Sequence, residues 1–185
     1  FWAQAAIGAG FKAVLFTDIR SPDDVESCYR SIRPDNPAGQ GLMGIKLRRP
    51  AFGSYGHDAY LADLESILFL VMIEKTVAVD NLDIVLEKAK ARGVDMTQWG
   101  PADFGFSRGQ PNLMDTDEIK PFEELVIRKS IDYGIAPRIE IRSVDQAQRY
   151  VDLGVRHFCV GWDRFILQSA LANIGEGMQK LLSTL

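Results

Sequence analysis

Short apolar runs and longer stretches of helical spacing alternate along this chain. The runs fall at 12–16, 68–73, 94–98, 137–141 and 157–160, and their near-continuous apolar character predicts parallel strands covered on both faces. Helical spacing predicts helices over 21–33, 59–66, 80–91, 119–133, 143–153 and 163–182. Ser21-Pro22-Asp23-Asp24 supplies an N-cap, a proline at the first helical position and acids that suit the helix dipole. Asp80-Asn81 is expected to cap the helix that Gly93 closes. Ser143 with Gln146 predicts a capping box, and Gly175 and Gly177 predict a break in the last helix. Each predicted strand is followed by a helix and no hairpin signal appears, so the class is α/β with a parallel sheet. Two architectures satisfy this pattern, a five-stranded open sheet and part of an eight-stranded barrel. Length by itself favours the open sheet, because a full barrel takes about 250 residues.

Composition narrows the class. With 46% hydrophobic and 25% charged residues, the 185-residue chain reads as a globular domain, expected to be single over 1–185. A net charge of −4 and the lack of a basic stripe argue against a nucleic-acid partner. The longest apolar run, 67–73, is too short to span a bilayer, so no membrane role is expected. Cys28, on a helix, and Cys159, in a strand, are expected to be buried reduced thiols, which points to the cytoplasm. The opening Phe1-Trp2-Ala3-Gln4-Ala5-Ala6 reads as the middle of a helix with no initiator Met, so further residues are expected before Phe1.

The chemistry concentrates in two acids. Glu74 ends Phe69-Leu70-Val71-Met72-Ile73-Glu74, and Asp103 lies in Trp99-Gly100-Pro101-Ala102-Asp103-Phe104. Both follow an apolar run, with one helical stretch between the runs. Strands adjacent in a parallel sheet lie about 4.8 Å apart, so the two carboxylates could share one hard divalent cation. The alternative is local: Glu74 pairs with Lys75 or an arginine, and Asp103 caps the turn after Pro101. Residues 34–57 hold three prolines and five glycines and predict a long loop. Within it, Gly39-Gln40-Gly41-Leu42-Met43-Gly44 matches G-x-G-x-x-G. That match lacks the preceding strand and following helix of a nucleotide site. Arg48 and Arg49 could clamp a carboxylate, but solvated or inter-subunit charges are the favoured reading. His57 and His157 have no metal-like spacing and read as structural.

Val71-Met72-Ile73-Glu74-Lys75-Thr76, Asn81-Leu82-Asp83-Ile84, Gly93-Val94-Asp95, Gly100-Pro101-Ala102-Asp103-Phe104 and Val160-Gly161-Trp162-Asp163 together resemble the HpcH/HpaI aldolase and citrate lyase family, in register over essentially the whole chain. The loop Asn36-Pro37-Ala38-Gly39 resembles that family's proline-glycine loop. The resemblance implies a (β/α)8 TIM barrel, present here as about strands four to eight. It also implies a class II, metal-dependent pyruvate aldolase that cleaves a 4-hydroxy-2-oxo acid to pyruvate and an aldehyde through a metal-stabilised enolate. The family's ligands for Mg²⁺, Mn²⁺ or Co²⁺ fall on Glu74 and Asp103, and its substrate contacts on Gly100, Ala102 and Asp103. Its base histidine and substrate arginine would lie upstream of Phe1, so no catalytic proton-transfer residue is expected within the chain. A small 2-oxo acid substrate and a homo-oligomer, dimer to hexamer, are also implied. The resemblance leaves room for an acyl-CoA lyase or thioesterase of the citrate lyase-like branch, and for a non-catalytic barrel that binds a small acid. Three positions depart from the family: Met72 stands where Gln is common, Gly41 where the loop usually has Arg, and Thr17-Asp18 where an apolar pair beginning with Pro is frequent.

Overall fold

A computed structural model describes residues 2–44 and 56–184. Arg48 and Arg49 lie outside the described residues, as does the side chain of His57. The chain forms two compact units, Phe1–Pro137 and Arg138–Leu185. The first runs α1 (Trp2–Ala9), β1 (Ala13–Phe16), α2 (Pro22–Ile32), α3 (His57–Glu65), β2 (Leu68–Ile73), α4 (Thr76–Asp80), α5 (Leu82–Ala91), β3 (Met96–Trp99), α6 (Pro101–Ser107) and α7 (Lys120–Asp132), and ends at the start of β4 (Ala136–Ile141). The second holds the rest of β4, then α8 (Ala147–Asp152), β5 (His157–Val160) and α9 (Asp163–Leu182). No helix among the described residues is long and apolar enough to cross a membrane.

In the first unit β1 pairs with β2 and β2 with β3, all parallel, with Phe16 opposite Val71 and Ile73 opposite Trp99. The apolar run of β2 explains its central place: Phe69, Leu70, Val71 and Ile73 are all buried, so both faces of the strand are covered. The covering helices follow from periodicity. On α5, Leu82, Val85, Leu86 and Ala89 are buried at helical spacing, and on α7 Val126 and Ile127 are. Asp95 receives a 2.7 Å hydrogen bond from the Phe69 amide, which ties the start of β2 to the approach of β3. Thr97 and Ser130 join β3 to α7 inside the core: the Thr97 hydroxyl donates to Ser130 Oγ at 2.7 Å, and Ser130 donates to the Val126 carbonyl at 2.8 Å. In the second unit β4 and β5 are parallel, with Arg138 opposite His157 and Ile141 opposite Val160.

Local signals succeed where the side chain has one available partner. Ser21 caps α2 and closes a reciprocal capping box with Asp24, as Ser21-Pro22-Asp23-Asp24 requires. Three expectations are corrected. Asn81 sits at the cap of α5 but donates instead to the Val77 carbonyl at 2.9 Å, because the short helix α4 ends one residue before it. Ser143 makes no cap bond, and Gln146 accepts from the Arg142 amide at 2.8 Å, so a short 3₁₀ turn precedes α8 in place of a capping box. Helix α9 runs unbroken through Gly175 and Gly177, which cost helix stability without preventing the helix. The cysteines are unpaired but only partly buried, and burial together with Asp24 pushes the Cys28 thiol up to about 11.

The G-x-G-x-x-G match has a structural cause. A Cβ on Gly41 would overlap the Arg33 carbonyl, and one on Gly39 would lie 2.6 Å from the Pro34 carbonyl, so the glycines let this loop fold back on the end of α2. Arg33 in turn donates at 3.0 Å to the carbonyls of Leu64 and Ile67, fixing the turn from α3 into β2.

The Thr97–Ser130 pair makes a testable asymmetry. Thr97→Val removes one hydrogen bond and should cost about 1 kcal/mol, whereas Ser130→Ala strands a buried donor and should cost about 1–3 kcal/mol. Urea unfolding of both variants checks the order; a larger loss in Thr97→Val would contradict it.

Candidate metal centre at the strand ends

Three carboxylates reach the C-terminal edge of the sheet from three successive strands. Asp18 stands two residues past β1, Glu74 one residue past β2, and Asp103 in the first turn of α6, which begins two residues past β3. The sheet register sets this placement. Because Ile73 pairs with Trp99, Glu74 lies beside Gly100, and the Gly100 amide donates to the Ile73 carbonyl at 3.1 Å.

Glu74 is 3% exposed. Its Oε1 accepts a 2.7 Å hydrogen bond from the Asp18 amide, joining the ends of β1 and β2. Asp18 adopts a left-handed backbone with φ 62°, a conformation that Asp tolerates better than most residues. Gly100 is required by space: a Cβ there would stand 2.7 Å from both Cβ and Oε2 of Glu74 and 3.1 Å from the Met72 sulfur. Met72 therefore lies against Gly100 beside Glu74.

Lys75 ties the three acids together. Its Nζ lies 2.7 Å from Asp18, 3.1 Å from Asp103 and 4.0 Å from Glu74. The ammonium is itself largely enclosed, with its side chain 12% exposed. Hydrogen bonds to Asp18 and Asp103 hold the Lys75 pKa above its ordinary value despite the opposing effect of burial. Lys75 in turn holds Asp18 below the usual carboxylate range. Glu74 is shifted the other way: burial raises it, the Asp18 amide opposes, and the Asp103 charge raises it further.

An open cavity of about 540 Å³ adjoins this cluster, lined by Arg20, Lys75, Thr76, Asp103 and Ser107 among others. Arg20 donates to the Asp18 carbonyl at 2.9 Å and lies at the rim. The Thr76 amide donates to Ser107 Oγ at 3.0 Å, while the Thr76 hydroxyl is buried without a partner. Pro101 begins α6, so Ala102 and Asp103 supply the first N–H groups of that helix, positions with no intrahelical acceptor.

Both sides of the sequence reading meet here. Glu74 and Asp103 are brought to one edge, and Lys75 pairs with Glu74, as the local alternative held, and also with Asp103, for which that alternative supposed a cap on the turn after Pro101. Gly100 and Ala102 lie between them. His157 begins β5 as expected. Asp18 and Lys75 were not singled out as site residues. Asp18 carries the same signal as Glu74, an acid just past an apolar strand, and could have been found by it. Lys75 was named only as a local partner of Glu74, because its contacts with Asp18 and Asp103 depend on other strand ends.

The donor set suits a hard divalent ion. No group of three or more metal-ligating side chains occurs among the described residues; Mg²⁺ is often held by one or two carboxylates with water or substrate in the other positions.

No family model matches the chain. The chain is 31% identical over 170 residues to a 2-keto-3-deoxy-L-rhamnonate aldolase of Shigella dysenteriae, covering 91% of this chain and 61% of that protein. It matches the solved structure of an HpcH/HpaI aldolase/citrate lyase family protein from Burkholderia cenocepacia with TM-score 0.79 and 25% identity, over 96% of this chain and 68% of that one. In sequence and fold the chain is similar to HpcH/HpaI aldolases. An HpcH/HpaI aldolase from Desulfitobacterium hafniense shares the fold, with TM-score 0.76 over 95% of this chain and 67% of that one, at 17% identity. These likenesses make the fold a partial (β/α)8 barrel and set aside the five-stranded open sheet. The length argument for the open sheet weighs a whole domain, whereas the chain spans about three fifths of the curated relative it matches.

Burial of Glu74 has a pH signature. Its folded pKa lies above the unfolded value, so the folded state holds a proton that the unfolded state has released, and stability falls as pH rises from the unfolded pKa through the folded one. Glu74→Gln lacks this loss. Its melting temperature relative to the parent should rise from pH 4 to pH 8, in metal-free buffer. A difference that stays flat or shrinks with pH would count against a desolvated carboxylate.

Proposed function

We propose that this chain carries the metal-holding edge of a class II aldolase, with the barrel as one domain. The reaction proposed cleaves a 4-hydroxy-2-oxo acid to pyruvate and an aldehyde. The observation that carries this reading is that Glu74 and Asp103, from neighbouring strand ends, both pair with Lys75 beside a cavity that Asp103 lines, in a chain whose curated relatives are aldolases. The name of the Shigella relative supports a 2-oxo-3-deoxy sugar acid as the class of substrate.

In retro-aldol cleavage the C4 hydroxyl loses its proton, the C3–C4 bond breaks, and its electron pair passes into an enolate that is then protonated at C3. A divalent ion such as Mg²⁺, Mn²⁺ or Co²⁺, when bound, supplies Lewis-acid stabilisation of that enolate. Glu74 and Asp103 would hold it. The Asp18 amide fixes one Glu74 oxygen, so the ligand is oriented before binding. Gly100 keeps the space over Glu74 open. The N–H groups of Ala102 and Asp103 would receive the substrate carboxylate at the start of α6. Arg20, which lines the cavity, offers a cation to an anionic substrate.

A homo-oligomer forms part of this proposal. No residue of α9 is buried, and Phe165, Ile166, Leu171, Ile174 and Leu182 are exposed along it, a surface suited to a second copy.

Deuterium exchange at the pyruvate methyl group tests the central step, because it requires enolate formation without the aldehyde. With Mg²⁺, Mn²⁺ or Co²⁺ the full-length protein should catalyse exchange. Glu74→Gln and Asp103→Asn should each lower the metal-dependent rate by about 100-fold or more, the scale of losing key electrostatic stabilisation. Exchange that persists in both variants would sink the ligand assignment.

A further inference from the structure

The ammonium of Lys75 stands among the oxygens that a metal ion would use. It is within 3.1 Å of Asp103 and 4.0 Å of Glu74, and it has a closer partner, Asp18, at 2.7 Å. Three carboxylates from three strand ends face this one enclosed cation, with Arg20 at the rim 3.6 Å from Asp18. An N–H donor bonds oxygen at about 2.7–2.9 Å, while Mg²⁺ or Mn²⁺ binds it near 2.1 Å. One Asp103 oxygen cannot serve both cations at full strength, and like charges that close repel strongly in an enclosed site.

We propose that Lys75 is a tethered cation that occupies the metal position, and that a divalent ion binds Glu74 and Asp103 only as Lys75 withdraws onto Asp18. This inference rests on the metal reading of the proposed function and adds a competitor to it. In the absence of metal, Lys75 offsets the repulsion among the acids and bridges Glu74 and Asp103. When metal arrives, Asp18 receives the displaced ammonium, so the charge stays inside the cluster. Asp18 is suited to this because its backbone is already fixed: its amide bonds Glu74, and its carbonyl accepts from Arg20. The consequence is weak, readily reversed metal binding compared with the same two carboxylates lacking the lysine.

Mn²⁺ binding to the full-length protein, read by the electron paramagnetic resonance signal of free Mn²⁺, tests the competition without any catalytic assay. Lys75→Met and Lys75→Gln should bind Mn²⁺ at least about tenfold more tightly than the parent. Lys75→Arg keeps the charge and should stay within about threefold. The neutral variants should also melt lower than the parent in metal-free buffer and recover with Mn²⁺, which shows that they fold. Binding by the parent with equal or weaker binding by the neutral variants overturns the competition and leaves the metal reading standing. No Mn²⁺ binding by parent or variants overturns both.

Discussion

A buried carboxylate has to be answered by a donor, and in this protein the answer organises the sheet edge. Glu74 is withdrawn from solvent at the end of β2, and the Asp18 amide, presented by a left-handed turn after β1, meets it. Charge on Glu74 then requires a cation close by, since burial alone disfavours the ionised form. Lys75 supplies that cation, and its other two contacts recruit Asp18 and Asp103. One desolvated acid thus accounts for the turn conformation, the ion-pair cluster and the need for a glycine at position 100.

The same arrangement favours chemistry over stability. Three acids crowded at one edge repel one another, and a single largely enclosed lysine pairs with all three. The Thr97–Ser130 link inside the core is by contrast neutral and passes its last proton to a backbone carbonyl. A fold that keeps unfavourable charge at the C-terminal ends of parallel strands places it where α/β barrels put their working groups.

Much of this was legible in the sequence, for physical reasons that differ by element. The run Leu68–Ile73 announced a buried central strand because burial on both faces leaves no room for polar residues. Glu74 and Asp103 were visible because an acid directly after such a run has few bland explanations. Helices α4 and α6 were not visible: five and seven residues are too few to show periodicity, and α6 is packed with residues chosen for the site. The capping errors at Asn81 and Ser143 arose because each polar group had a nearer backbone partner than the motif supposes. Lys75 was legible as a partner of Glu74, but its bridge to Asp18 and Asp103 was not, because it depends on three strand ends meeting, which no local pattern records.

The central claim is that Glu74 and Asp103 hold one divalent ion together. Crystals of the full-length protein grown with Mn²⁺, with diffraction collected across the Mn absorption edge, test it directly. The account predicts an anomalous peak bonded to both carboxylates, with Lys75 drawn toward Asp18. A peak located elsewhere, or a fully occupied Lys75 bridge with no peak beside it, would contradict the account.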